Sequence, residues 1–218
     1  MKLTNRFRGF TSMNDWLKTV YGETSSLKLN KHYKKWSNSY DQDMKDWGYA
    51  YPVQLKKILK ENLRLKKDIK ILDAGCGTGY VAEALIELKF KHIIGIDFSE
   101  DMLKIAKEKK IYSRLICQSL NDKIKLRTNQ FELVVCTGVL TSGHVGPNSL
   151  QELIRVVKPQ GYFVCSIAES IFKKNGFKKE IENLAEIAKV KFISQQFIAL
   201  PRNKNSAKSR MYILQKFR

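Results

Sequence analysis

Leu72-Asp73-Ala74-Gly75-Cys76-Gly77-Thr78-Gly79-Tyr80 decides how this chain folds: an acid at a strand end is followed by three alternating glycines and then a helix. Upstream, Asp68-Ile69-Lys70-Ile71-Leu72 carries the apolar residues of a short strand. Downstream, Val81, Ala84, Leu85 and Leu88 recur at helical spacing. The glycines therefore fall in a strand-to-helix turn. Glycine reaches positive φ without strain there, and its missing side chain lets a ligand approach the amides at a helix N-terminus. The spacing departs from the dinucleotide fingerprint G-x-G-x-x-G/A, which needs glycine or alanine where Tyr80 stands. A second predicted strand, Lys91-His92-Ile93-Ile94-Gly95-Ile96-Asp97, ends on an acid at the distance where ribose-binding carboxylates follow such turns. Ser99 has the character of an N-cap, with Glu100 and Asp101 in the first turn and Met102, Ile105 and Ala106 on the inner face.

LDAGCGTG followed by GIDFSEDML resembles motifs I and II of the class I S-adenosylmethionine-dependent methyltransferases. The similarity continues through FELVVCTGVLTSGHVGPNSLQELIRVVKPQGYFVCSI, the fourth strand, fourth helix and fifth strand of that family. The family's lysine-proline-glycine-glycine turn is Lys158-Pro159-Gln160-Gly161 in this chain, one glycine short. Upstream, HYKKWSNSYDQDMKDWGYAYP is similar to the entry segment of the subgroup named after the Williams-Beuren syndrome region methyltransferase-like protein. The resemblance implies an enzyme that transfers methyl groups, S-adenosylmethionine as cofactor with S-adenosylhomocysteine as product, and a sheet in the order 3-2-1-4-5-7-6.

Strands are expected at 69–73, 92–97, 113–117, 131–137, 161–167, 191–199 and 210–217, and a helix from Pro52 to about Leu65 with Leu55, Ile58, Leu59 and Leu63 on one face. Short connections between the first five strands imply helices on both faces of a parallel sheet. The expected fold is α/β: a Rossmann-like, seven-stranded, mostly parallel sheet (52–218) with an N-terminal helical lid (1–51).

Length and charge bound the rest. A chain of 218 residues is ample for one core. Without a long apolar run it is expected to be soluble and cytoplasmic, away from membranes. Cys76, Cys117, Cys136 and Cys165 stand singly, and His32, His92 and His144 are dispersed, so neither a disulfide framework nor a metal site is expected. The net charge of +19 admits RNA as a partner, yet lysines outnumber arginines and spread over most predicted elements, which suits a solvated surface. Two local concentrations could attract an anionic substrate. Residues 1–36 hold eight basic and two acidic side chains, and 201–210 is a basic loop without an acid.

Each part of the cofactor asks for a different partner. The amides of Gly75 to Gly79, those of Gly75, Cys76, Gly77 and Gly79 among them, suit its carboxylate, Asp73 its ammonium, and Asp97 its ribose diol, unless Asp97 only caps a helix. Phe98 and Met102 can bracket the adenine, with Met102 as ordinary core the alternative. Ser119 and Leu120 can flank the adenine edge, and Cys136 lies near the tip of the fourth strand. Tyr33, Trp36, Tyr40, Met44 and Trp47 recur at three- or four-residue spacing and would share one helix face. That face packs on the domain, roofs the sulfonium, or does both, and the resemblance makes Tyr33 the aromatic that reaches the cofactor. His144, Tyr40 and Asp43 are candidates to orient or deprotonate an acceptor. The strand tip Cys136-Thr137-Gly138-Val139 lacks the motifs of exocyclic-amine and base-carbon methylation. A small-molecule acceptor is expected, with an RNA methyltransferase and a non-catalytic binding protein as alternatives.

Overall fold

A computed structural model describes residues 26–141, 145–187, 190–198 and 209–217. Its strands are β1 (Lys70–Ala74), β2 (His92–Asp97), β3 (Arg114–Cys117), β4 (Phe131–Leu140), β5 (Val157–Ala168), β6 (Val190–Ile198) and β7 (Ser209–Lys216). The helices are α1 (Ser26–Trp36), α2 (Tyr40–Asp46), α3 (Tyr51–Asn62), α4 (Ala82–Glu87), α5 (Glu100–Glu108), α6 (Ser149–Val156), α7 (Glu169–Phe172) and α8 (Phe177–Glu186). One seven-stranded sheet runs β3-β2-β1-β4-β5-β7-β6, parallel except that β7 is antiparallel to both β5 and β6. This is the expected Rossmann-like order.

The sheet is apolar on both faces because helices cover both. On one face Leu72, Phe131, Val134, Phe163 and Leu214 pack with Leu150, Leu153 and Ile154 of α6 and Phe177 and Leu184 of α8. On the other, Ile71, Leu133, Val135, Val164 and Ile213 pack with Leu55, Ile58 and Leu59 of α3 and Leu85 of α4. Each fully buried side chain of this size contributes about 1.5–3 kcal/mol. The C-terminal ends of the six parallel strands, β1 to β6, therefore point the same way, and it is at that end that α/β sheets place their ligands. Among the described residues no helix is long and apolar enough to cross a membrane.

Three local departures from the expected elements have physical causes. The aromatic stripe does not lie on one helix. It breaks at Ser37–Ser39, where Ser37 and Ser39 donate their amides to Tyr33 and Trp36, and α2 starts anew at Tyr40. The indole of Trp36 then donates to Asp43 across the break at 2.6 Å, and the Ser39 hydroxyl donates to the same carboxylate at 2.8 Å. The α3 helix stops at Asn62, because Leu63 turns to an extended conformation and packs under Phe90 and Leu88. The Lys158–Gly161 segment is the start of β5, with Gln160 at φ +64 and Gly161 so close to the carbonyls of Glu132 and Lys158 that a Cβ would sit 2.9 Å from each.

Candidate active site

The turn after β1 takes its shape from its glycines. Gly75, Gly77 and Gly79 have φ of +76, +53 and +83. Gly75 and Cys76 both donate amides to the carbonyl of Ile96, at 2.7 and 3.0 Å, which holds the turn against β2. A Cβ on Gly75 would meet Val139 Cγ2 at 2.2 Å, whereas a Cβ on Gly77 would meet nothing within 4 Å. Gly75 thus serves close packing, and Gly77 leaves open the space that a ligand can enter.

Asp97, at the tip of β2, ties the turn to the next helix. Its carboxylate accepts from the Gly77 amide and from the Ser99 amide, each at 2.9 Å. Ser99 caps α5 by accepting from the Met102 amide. Burial pushes the Asp97 carboxyl up, and the amides of Ser99, Gly77 and Phe98 oppose the shift. Most amides expected to meet a ligand carboxylate are turned inward: Gly75 and Cys76 bond Ile96, Gly77 bonds Asp97, and Gly79 bonds Cys76. A turn this short satisfies its own donors because unpaired buried amides are costly.

Above the turn, α1, α2 and the segment before α3 form a roof. Trp36, Met44, Leu29 and Met102 are its buried centre, flanked by Tyr33, Tyr40, Trp47, Tyr49, Tyr80 and Phe98. Tyr33 meets Phe98 edge-on at 5.8 Å between centroids. Beneath the roof lies a cavity of about 190 Å³. Of the residues singled out in the sequence, it is lined by Tyr33, Tyr40, Gly75, Cys76, Gly77, Asp97, Phe98, Met102, Ser119 and Leu120. Met102 is both core and wall.

Four candidates stand elsewhere. Asp73 is behind the turn, 1% exposed, and accepts from the Tyr112 hydroxyl at 2.7 Å. Burial pushes its carboxyl up to about 7, the Tyr112 hydroxyl opposing and the Asp97 charge adding. A Cβ on Gly79 would face the Tyr112 ring at 3.0 Å, so that position supports the turn from outside the cavity lining. Cys136 is fully buried in the core on the α6 face, because successive strand residues alternate between faces. Asp43, a candidate base, is buried and engaged with Trp36 and Ser39, away from the cavity. His144 lies outside the described residues.

The cavity also takes Leu29, Tyr49, Tyr80, Val81, Asn121, Thr137, Gly138, Val139 and Val145, which sequence reasoning did not assign to a site. Tyr80 stood in the sequence as the residue that breaks the dinucleotide pattern, and Thr137–Val139 as a strand tip without a motif. Thr137 is 6% exposed, and its Oγ1 is buried with no hydrogen-bond partner among the described residues. Asp97 is the one acidic or basic side chain among the described residues of the lining. Among the described residues no three His, Cys, Asp or Glu side chains group to hold a metal.

Comparison with known proteins agrees with this architecture. Residues 72–165, from β1 into β5, match the family described as Methyltransferase domain. The chain is 32% identical over 152 residues to human Methyltransferase-like protein 27, covering 69% of this chain and 61% of that protein. It is 28% identical over 149 residues to demethylmenaquinone methyltransferase of Listeria welshimeri, covering 66% and 63%. The chain thus spans just under two thirds of the length of these curated relatives. A solved S-adenosylmethionine-dependent methyltransferase from Clostridium acetobutylicum superposes with a TM-score of 0.61 at 17% identity, covering 85% of this chain and 99% of that one. The fold is the Rossmann-like fold of the methyltransferases.

Proposed function

We propose that this protein is an S-adenosylmethionine-dependent methyltransferase of the subgroup that its entry segment resembles, acting on a small-molecule acceptor by in-line displacement. The observation that carries this is the joining of two halves in one cavity: a glycine turn with Asp97 at its base, and a ring of tyrosines from the lid and α4 region opposite. The 32% identity to Methyltransferase-like protein 27 supports the methyltransferase reading. When bound, S-adenosylmethionine supplies an electrophilic methyl group on a sulfonium.

The residues fit that molecule. A carboxylate has about four lone-pair sites, so Asp97 keeps capacity for ribose hydroxyls while it holds the turn. Phe98 and Met102 offer a flat apolar wall for adenine, with Ser119 and Leu120 at its edge. The open space over Gly77 takes the amino-acid end. Tyr33 and Tyr40 close the roof, excluding water and presenting aromatic faces to a cation. Transfer in line demands positioning of the acceptor more than a dedicated base.

A small acceptor is favoured over RNA because the described lining carries no lysine or arginine to meet a phosphodiester, despite the +19 charge of the chain. Two measurements test the proposal. Thermal unfolding shifts upward with S-adenosylhomocysteine, and Asp97→Ala removes the shift; no shift in the wild-type protein sinks the donor assignment. Labelled methyl transfer into fractionated extract puts counts in the small-molecule fraction, and counts confined to RNA or protein overturn the acceptor assignment.

A further inference from the structure

We infer that a crevice at the far end of the sheet from the cavity docks an acidic segment of a partner protein, one that carries an aliphatic side chain as its anchor. This holds independently of the donor reading above.

The crevice, of about 420 Å³, lies where the chain enters β1 and β2, at the ends of those strands that point away from the glycine turn. Clefts that take ligand groups run from roughly 300 to 1,000 Å³. Leu59, Leu63, Leu88 and Phe90 form its floor, with Leu65 half-buried beside them. The rest of its lining is cationic: Lys60, Arg64, Lys66 and Lys67, each exposed. None of the four pairs with a carboxylate among the described residues, although Glu61 and Asp68 adjoin them in the chain. Glu87, next to Leu88, is taken by Lys56. Lys89 and Lys91 flank Phe90 in sequence and pair with no carboxylate either. Like charges without paired acids repel one another, and an anionic partner relieves that repulsion.

Charge spread over an apolar floor selects the occupant. A single carboxylate headgroup would meet one or two of these cations and leave the others unmatched, whereas an acidic segment spans them. RNA brings phosphates but no aliphatic group for the floor. Phe90, the aromatic of the lining, is buried and has the Lys67 ammonium over its ring at 4.7 Å, so no base stacks there. An anionic membrane is gripped by apolar side chains that protrude into it, and the leucines of this floor are recessed. An aliphatic side chain flanked by carboxylates meets both requirements, with the anchor in the cleft and the charges at its rim.

The experiment uses the full chain at low salt. Fluorescence anisotropy follows the labelled peptide EDELLEDE, its counterpart EDEAAEDE and a short oligouridylate, and sedimentation follows vesicles of phosphatidylcholine with phosphatidylserine. EDELLEDE should bind with a dissociation constant below about 1 mM. It should bind at least about fivefold more tightly than EDEAAEDE, because its leucines leave water in the crevice. Combining Lys66→Glu with Lys67→Glu should weaken it about tenfold by reversing two ion pairs. Combining Lys173→Glu with Lys174→Glu, exposed positions just past α7, makes the same change in net charge and should cost less than about threefold. Both double variants should keep their melting temperatures and their affinity for S-adenosylhomocysteine. The inference is overturned if EDELLEDE does not bind, if EDEAAEDE matches it, or if the two double variants weaken it equally. It is also overturned if the oligouridylate or the vesicles bind more tightly than EDELLEDE and lose that binding in the Lys66→Glu, Lys67→Glu variant, which would give the crevice to RNA or to a membrane. Failure of S-adenosylhomocysteine to bind the wild-type protein is a separate result that removes the donor reading and leaves this site standing.

Discussion

The Asp41 carboxylate on α2 accepts the hydroxyl hydrogen of Thr78, in the middle of the glycine turn, at 2.5 Å. The same carboxylate pairs with Lys109 just past the end of α5, and Lys109 also reaches Glu83 on α4 at 2.7 Å. One acid thus latches the lid to the turn it covers and to two helices of the domain. The three charged groups are partly exposed, so the strength of their ion pairs is reduced by solvent and salt.

Asp41→Ala should therefore loosen the lid without unfolding the domain. The expected outcome is S-adenosylhomocysteine binding about three- to tenfold weaker, from loss of one charge-assisted hydrogen bond and one screened ion pair. In the wild-type protein alone, raising salt should reproduce part of that loss. Calorimetric titration at low and high ionic strength checks it, and an Asp41→Ala affinity equal to wild type at low salt would show that the latch does not bear on the site.

Gly75 and Gly77 should separate stability from binding. Gly75→Ala drives a methyl into Val139 and strains a φ of +76, so unfolding free energy should fall by about 2–4 kcal/mol. Gly77→Ala meets no neighbour, so only the cost of positive φ is expected, about 1 kcal/mol, with a larger effect on ligand binding because the methyl occupies ligand space. Urea unfolding beside ligand titration distinguishes the two. Equal stability losses would contradict this division of roles.

Asp73 makes stability depend on pH in a calculable direction. Its carboxyl ionises near 3.8 when unfolded and near 7 in the fold, so between those values the native state holds more protons than the unfolded chain. Stability must then fall as pH rises through that window. Asp97, also raised by burial, tilts the curve the same way. Asp73→Asn keeps an acceptor for the Tyr112 hydroxyl and removes one ionisation, so its decline across about pH 4 to 7 should be shallower than wild type. Denaturant midpoints across that range measure it; parallel curves would place the effect on other groups.

Gln160 stands at φ +64, where a side chain is strained and glycine is not. Gln160→Gly should raise unfolding free energy by about 1 kcal/mol and the melting temperature by about 2–4 °C for a chain of this size. The Gln160 carbonyl that accepts from Gln215 survives the change. Calorimetry decides it, a lower melting temperature being the contrary result.

Particular residues show what could be read in advance. The turn at Gly75–Gly79, Asp97 and the Ser99 cap were legible because each depends on neighbours within one strand-turn-helix unit. The aromatic stripe was legible in composition but not in shape. Its helical spacing runs through Ser37–Ser39, and the break there is made by Asp43 gathering Trp36 and Ser39 from across it. Spacing likewise does not tell Asp41 from Asp43. Two positions apart on a helix, they face different ways, one toward Thr78 and one into the lid.

The sequence by itself determined the strand-helix alternation, the backbone freedom of the turn and the acid at the tip of β2, since local sterics and periodicity govern all three. Only the tertiary structure decided which side chains share the cavity. Leu29, Tyr49, Tyr80, Thr137 and Val145 come from segments far apart in the chain, and the packing of the lid over the ends of β1 and β4 brings them together. Only there do the glycine turn and a ring of tyrosines meet, because proximity between distant segments is a property of the packed sheet rather than of any stretch of residues.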